Sequence, residues 1–126
     1  LYRVGTLHLK SHVTLQLQAG ARLVGTTDLD QYQAYVPQSD TAEAKFKKEW
    51  HRAMILAVGQ EDVHIEGPGT IDGGSVRDPQ GEEKIRGPHT VLFGQCRNVS
   101  VRNCTLVDSG NYAIMLEESH QATLQG

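Results

Sequence analysis

The side chains best suited to chemistry in this 126-residue sequence are a handful of carboxylates, six histidines and two cysteines. General acid–base work needs two carboxylates of different proton affinity facing one reacting atom. Asp72 stands in Gly69-Thr70-Ile71-Asp72-Gly73, a turn-like setting where its oxygens bond nearby backbone N–H groups, so its reading is structural. Glu117 and Glu118 are adjacent, so one faces outward at a strand end and the other enters a turn, as a solvated pair does. No Asp-Asp pair occurs. His8 and His64 alternate with Leu and Ile neighbours that face inward, which puts both imidazoles on the surface. No metal site and no cofactor is expected. Cys96 and Cys104 flank the extended Val99-Ser100-Val101-Arg102, which at ~3.3 Å per residue keeps their Cα atoms beyond the ~7 Å reach of a disulfide. Two free thiols are expected.

The elements that position these residues form a repeat. Val13-Thr-Leu15-Gln-Leu17, Val63-His-Ile65-Glu-Gly67, Val99-Ser-Val101-Arg-Asn103 and Ala122-Thr-Leu124-Gln-Gly126 share one alternating pattern, each a half-buried strand. One turn earlier stand Leu7-His-Leu9, Ile55-Leu-Ala57-Val58, Val91-Leu-Phe93 and Ile114-Met-Leu116. A third strand follows the first three units, at Ala21-Arg-Leu23-Val24, Thr70-Ile71-Asp72 and Thr105-Leu106-Val107. Three short strands joined by polar turns make one coil of a solenoid, and such coils bury their apolar faces only by stacking on one another. The expected fold is all-β, a parallel β-helix (solenoid) of about four coils, the last incomplete, over a single partial domain at 1–126. A sandwich would not repeat one strand and turn order at a fixed period. The reading expects Val13, Leu15, Val63, Ile65, Val99, Val101 and Leu124 to be buried and stacked.

Two insertions break the period, at about 26–52 and 74–87. In the first, Ser39-Asp40 precedes Ala42, Phe46 and Trp50 on one helical face, which predicts a short helix capping the open end of the solenoid. The second is rich in Gly, Pro and charge and reads as a surface loop.

Composition narrows the partners. Apolar residues are 38% and aromatic residues 6% of the chain, which suits a core of Val, Leu and Ile. Twelve basic and fifteen acidic side chains give a net charge of −3 with no run of like charge, so nucleic acid is not an expected partner. No stretch approaches the ~20 apolar residues of a membrane span, and no membrane partner is expected. The chain opens at Leu1 within an apparent strand, so a leader is not readable from it.

Gly67-Pro68-Gly69-Thr70-Ile71-Asp72-Gly73, followed by a loop, Gly87-Pro88, an apolar strand and Cys96-Arg97-Asn98-Val99-Ser100-Val101, resembles the early segment of polygalacturonases and related pectinases, glycoside hydrolase family 28. Gly5-Thr6-Leu7-His8-Leu9-Lys10-Ser11 and Gly20-Ala21-Arg22-Leu23-Val24-Gly25 resemble the first coil of bacterial members. The resemblance implies a right-handed parallel β-helix, inverting hydrolysis of α-1,4 galacturonan links, a pectic polysaccharide as partner, and a secreted or periplasmic location. It also implies three catalytic aspartates in Asn-Thr-Asp and Asp-Asp segments, with Gly-His-Gly and Arg-Ile-Lys motifs beyond them. None of these motifs occurs here, and Lys84-Ile85-Arg86 runs in the reverse order. An inverting enzyme needs an acid and a base ~6.5–9.5 Å apart. The expectation is therefore a non-catalytic N-terminal part of a pectin-directed glycoside hydrolase, inactive alone, with no catalytic residue of its own. A β-helical pectate lyase and a non-enzymatic glycan-binding β-helix remain the alternatives.

Laid on the repeat, His89 aligns with Tyr112, Val91 with Ile114, Leu92 with Met115 and Phe93 with Leu116. The family's first catalytic aspartate would fall one coil above Tyr112. Tyr112 and His89 are thus the expected floor of a substrate cleft, with Arg86 at the loop's end pairing a uronate carboxylate.

Overall fold

The computed structural model describes residues 2–34, 52–79, 87–117 and 119–125. Thirteen strands lie in these segments: β1 (Tyr2–Val4), β2 (Leu7–His8), β3 (Val13–Gln16), β4 (Arg22–Gly25), β5 (Gln33–Ala34), β6 (Arg52–Val58), β7 (Glu61–Glu66), β8 (Thr70–Asp72), β9 (His89–Gly94), β10 (Arg97–Arg102), β11 (Thr105–Val107), β12 (Ile114–Glu117) and β13 (His120–Gln125). Twelve of them stack into three sheets in the orders β1-β4-β8-β11, β2-β6-β9-β12 and β3-β7-β10-β13, with parallel neighbours throughout. The chain visits the sheets in rotation, so β2-β3-β4, β6-β7-β8 and β9-β10-β11 are successive coils, with β1 before them and β12-β13 after them. This is a parallel β-helix of about four coils.

The register follows the sequence repeat. Val13, Val63, Val99 and Ala122 are Cα partners in turn, as are Leu15, Ile65, Val101 and Leu124. Partners in adjacent coils stand 50, 36 and 23 residues apart, so the two insertions are accommodated without shifting a strand. One reason is local. The residue entering the third sheet has positive φ in every coil: His12 at 63°, Asp62 at 60°, Asn98 at 55° and Gln121 at 57°. His, Asn and Asp are the side chains most often found in that left-handed region, and a residue there turns the chain sharply from one sheet into the next. The side chains interlock as well as the backbone: Asp62 accepts from His12 Nδ1 at 3.1 Å, from His64 Nε2 at 2.7 Å and from Asn98 Nδ2 at 3.2 Å. This corner ties three coils together.

The core runs along the lumen. Ile55, Ala57, Val63, Ile65, Ile71, Val91, Phe93 and Val99 have 1% exposure or less. The second sheet is apolar on its other face too, where Ala53, Leu56 and Leu92 are buried and Val58 and Met115 pack on them. All six residues of β9 are buried, the condition of a parallel sheet covered on both sides.

Two expectations need correction. Val13 is 40% and Leu124 52% exposed, and Leu15 is half-buried. Their strands, β3 and β13, are the end strands of the third sheet, so among the described residues each has a stacked strand on one side only. The 74–87 insertion is not wholly a surface loop. Val76 is buried in the core and Asp78 is buried, its carboxylate 3.3 Å from Arg52 Nη1. The first insertion opens with a 3-10 turn at Leu29–Gln31, capped by Asp28, and with β5 pairing antiparallel to β6. Tyr32 between them enters the core. Its hydroxyl donates to the Thr26 carbonyl at 2.6 Å, and burial pushes its pKa up to about 12. The helix expected from Ser39 to Trp50 falls outside the described residues.

Candidate functional site

The corner between the first and second sheets carries two of the three expected binding residues. Tyr112 and His89 precede β12 and open β9 respectively. The Thr90 N–H donates to the Tyr112 carbonyl at 3.2 Å and the Val91 N–H to the Ala113 carbonyl at 2.9 Å, which fixes the two residues one coil apart. Their rings stack with centroids 5.8 Å apart and planes at 9°. They differ sharply in exposure: Tyr112 is 54% exposed and His89 is 1% exposed. His89 is therefore a base beneath the tyrosine and cannot itself form open floor. Arg86 lies outside the described residues.

Two arginines near this corner escaped the sequence reading. Arg52 opens β6, next to Ala53, the Cα partner of His89, and its guanidinium holds the buried Asp78. Arg77 is exposed, beside the segment from Gly87 into His89. No sequence signal isolates either, because one sits at a strand start and the other in a stretch whose composition resembles any solvated loop.

The described aspartates with partners are committed to the frame. Asp72 accepts from Arg22 Nη2 at 2.8 Å and from the Gly74 N–H at 2.8 Å, as its turn context implies. Burial alone would raise its pKa, but the Gly74 N–H and the Arg22 guanidinium outweigh that and hold it below the usual carboxylate value. Asp62 is also lowered, first by its bond from His12 and then by that from His64. Such carboxylates stay ionised, which suits structural acceptors and does not suit a general acid. The side chains of Glu117 and Glu118 lie outside the description.

His8 and His12 are four residues apart and His64 and Glu66 two apart, spacings that bind zinc in other settings. Here His8 Nε2 is 2.8 Å from Gln33 Oε1, while His12 and His64 converge on Asp62. Among the described residues no group of three His, Cys, Asp or Glu side chains is arranged so that it could hold a metal ion. Cys96 and Cys104 are free thiols, and burial raises the pKa of both. Cys96 donates to the Ala57 and Gly94 carbonyls, as a small core residue does.

The stacked sheets have counterparts in solved structures. A candidate glycosyl hydrolase from Parabacteroides merdae matches with a TM-score of 0.78 and 26% identity, over 98% of this chain and 54% of that one. The polygalacturonase of Erwinia carotovora matches with a TM-score of 0.74 and 22% identity, over 97% of this chain and 36% of that one. The fold is shared with polygalacturonases. The family 28 exopolygalacturonase of Yersinia enterocolitica gives 0.70 and 20% identity, over 98% and 31% of the two chains. This chain thus spans about half or less of each of these three structures. No protein-family model and no curated protein sequence matches it.

Proposed function

We propose that this β-helix belongs to a pectin-directed glycoside hydrolase of polygalacturonase type, which hydrolyses galacturonan links with inversion, and that these 126 residues supply a substrate-side scaffold. The observation that carries the reading is the three-sheet parallel stack, shared over 97% of the chain with a polygalacturonase. The Gly-Thr-Ile-Asp-Gly element at 69–73 supports it, with Asp72 in the structural role that its position implies. Tyr112 is the binding platform: an exposed phenol ring offers a flat apolar face to a sugar and a hydroxyl to bond it, and His89 holds that ring from below. The acid and base lie outside these residues. A secreted or periplasmic location goes with a polymeric substrate of this kind.

The test is direct. The purified chain should bind hexagalacturonate by calorimetry and release no reducing ends from polygalacturonate. Tyr112→Ala should weaken binding severalfold without lowering Tm. Measurable turnover would overturn the scaffold reading, and wild-type protein that ignores hexagalacturonate would overturn the substrate.

A further inference from the structure

Arg77 is exposed although both its neighbours are buried. Val76 is 6% exposed and part of the lumen core, and Asp78 is 4% exposed with its carboxylate paired to Arg52. Successive residues of an extended segment face opposite ways, so anchors at 76 and 78 turn residue 77 outward and fix its Cα. The same segment is pressed against the aromatic corner. A Cβ at Gly87 would collide with the Val76 carbonyl and sit 3.4 Å from the Arg77 Cα, and one at Gly110 would collide with the same carbonyl. Both glycines are needed for this approach. The Gly87 N–H donates to the Gly110 carbonyl at 3.0 Å, and each glycine stands two residues before one ring of the stack, His89 or Tyr112.

The exposed Arg77 is thus anchored on a backbone segment packed against the two glycines that precede the ring stack. Arg77 has no ion-pair partner among the described residues. A guanidinium can grip a carboxylate through two parallel N–H bonds, and one on an anchored backbone loses less freedom when it does so. We propose that Arg77 is the residue by which this corner selects an acidic sugar over a neutral one. The proposal rests on the glycan reading above and adds to it the residue that senses charge.

Calorimetric titration of the 126-residue chain with hexagalacturonate and with an uncharged galactose hexamer tests it, with circular dichroism melts confirming that each variant is folded. Arg77→Gln should weaken hexagalacturonate binding about threefold to fivefold, the range of a solvent-exposed ion pair. It should also flatten the salt dependence and leave the neutral hexamer unaffected, and Arg77→Lys should recover part of the loss. Equal affinity of Arg77→Gln and wild type for the acidic oligomer would overturn the assignment. If Tyr112→Ala loses binding and Arg77→Gln does not, the Arg77 assignment fails and the glycan reading stands. If wild-type protein binds neither sugar, both fail.

Discussion

Phe93 and Leu116 are Cα partners in the same sheet, one coil apart, yet Phe93 is fully buried and Leu116 is 40% exposed. Val101 and Leu124, partners in the third sheet, differ in the same way, at 5% and 52%. The alternating pattern is the same in both coils; what differs is the number of stacked neighbours. In a solenoid the strand pattern decides which way a side chain points, and the next coil decides whether it is buried. The mouth of the lumen shows the consequence: Val101, Cys104, Leu106, Ile114 and Leu124 line an apolar opening of about 360 Å³.

The sharpest way to break the comparison is to truncate both members of one column. Phe93→Ala removes a ring from a closed core and should cost about 3–5 kcal/mol, whereas Leu116→Ala removes atoms already half in water and should cost about 1 kcal/mol. Urea unfolding of the two variants measures both. Equal losses would show that the last coil is as well packed as the inner ones.

A smaller effect separates the anchored loop from its composition. Arg52→Met leaves the Asp78 carboxylate buried without its guanidinium, and removing one member of a buried pair is costly. Because Arg52 is only partly covered, at 26% side-chain exposure, the expected loss is about 2–3 kcal/mol. Asp78→Asn in the same background should restore much of it. A loss under about 0.5 kcal/mol, the range of ordinary surface changes, would return the segment to the surface.

How far the sequence discloses this molecule follows from the same contrast. The register of all four coils was legible, because alternation and a polar residue at each turn into the third sheet recur together: His12, Asp62, Asn98 and Gln121. The alignment of His89 with Tyr112 followed from that register and is present as a ring stack. The burial of His89 was not legible, since no local pattern says what covers a corner. Burial of Val76 and Asp78 was hidden for a related reason. Pro, Gly and charge mark a loop, but the partner that draws Asp78 inward, Arg52, is 26 residues away. Val13 and Leu124 show the converse, as apolar residues in a correct register on strands that end the third sheet among the described residues.

The smallest effect sharpens the comparison at the polar corner, where Asp62 joins three coils. Asp62 holds its proton less tightly in the folded chain than in the unfolded one, because His12 and His64 donate to its carboxylate. Its contribution to stability is therefore complete at pH above the ordinary aspartate range and is lost as pH falls through the lowered folded value. Asp62→Asn removes that dependence and keeps a side chain at ease with φ of 60°. Tm should be lower in the variant above the ordinary aspartate range, and the two curves should converge as pH falls below that range, where the wild-type carboxylate takes up its proton. His12→Gln should show a weaker form of the same convergence, since it removes the first of the two histidine donors and leaves His64 in place. Parallel Tm curves for wild type and Asp62→Asn across that range would mean that the carboxylate contributes nothing in its ionised form, and that the left-handed backbone alone makes the corner.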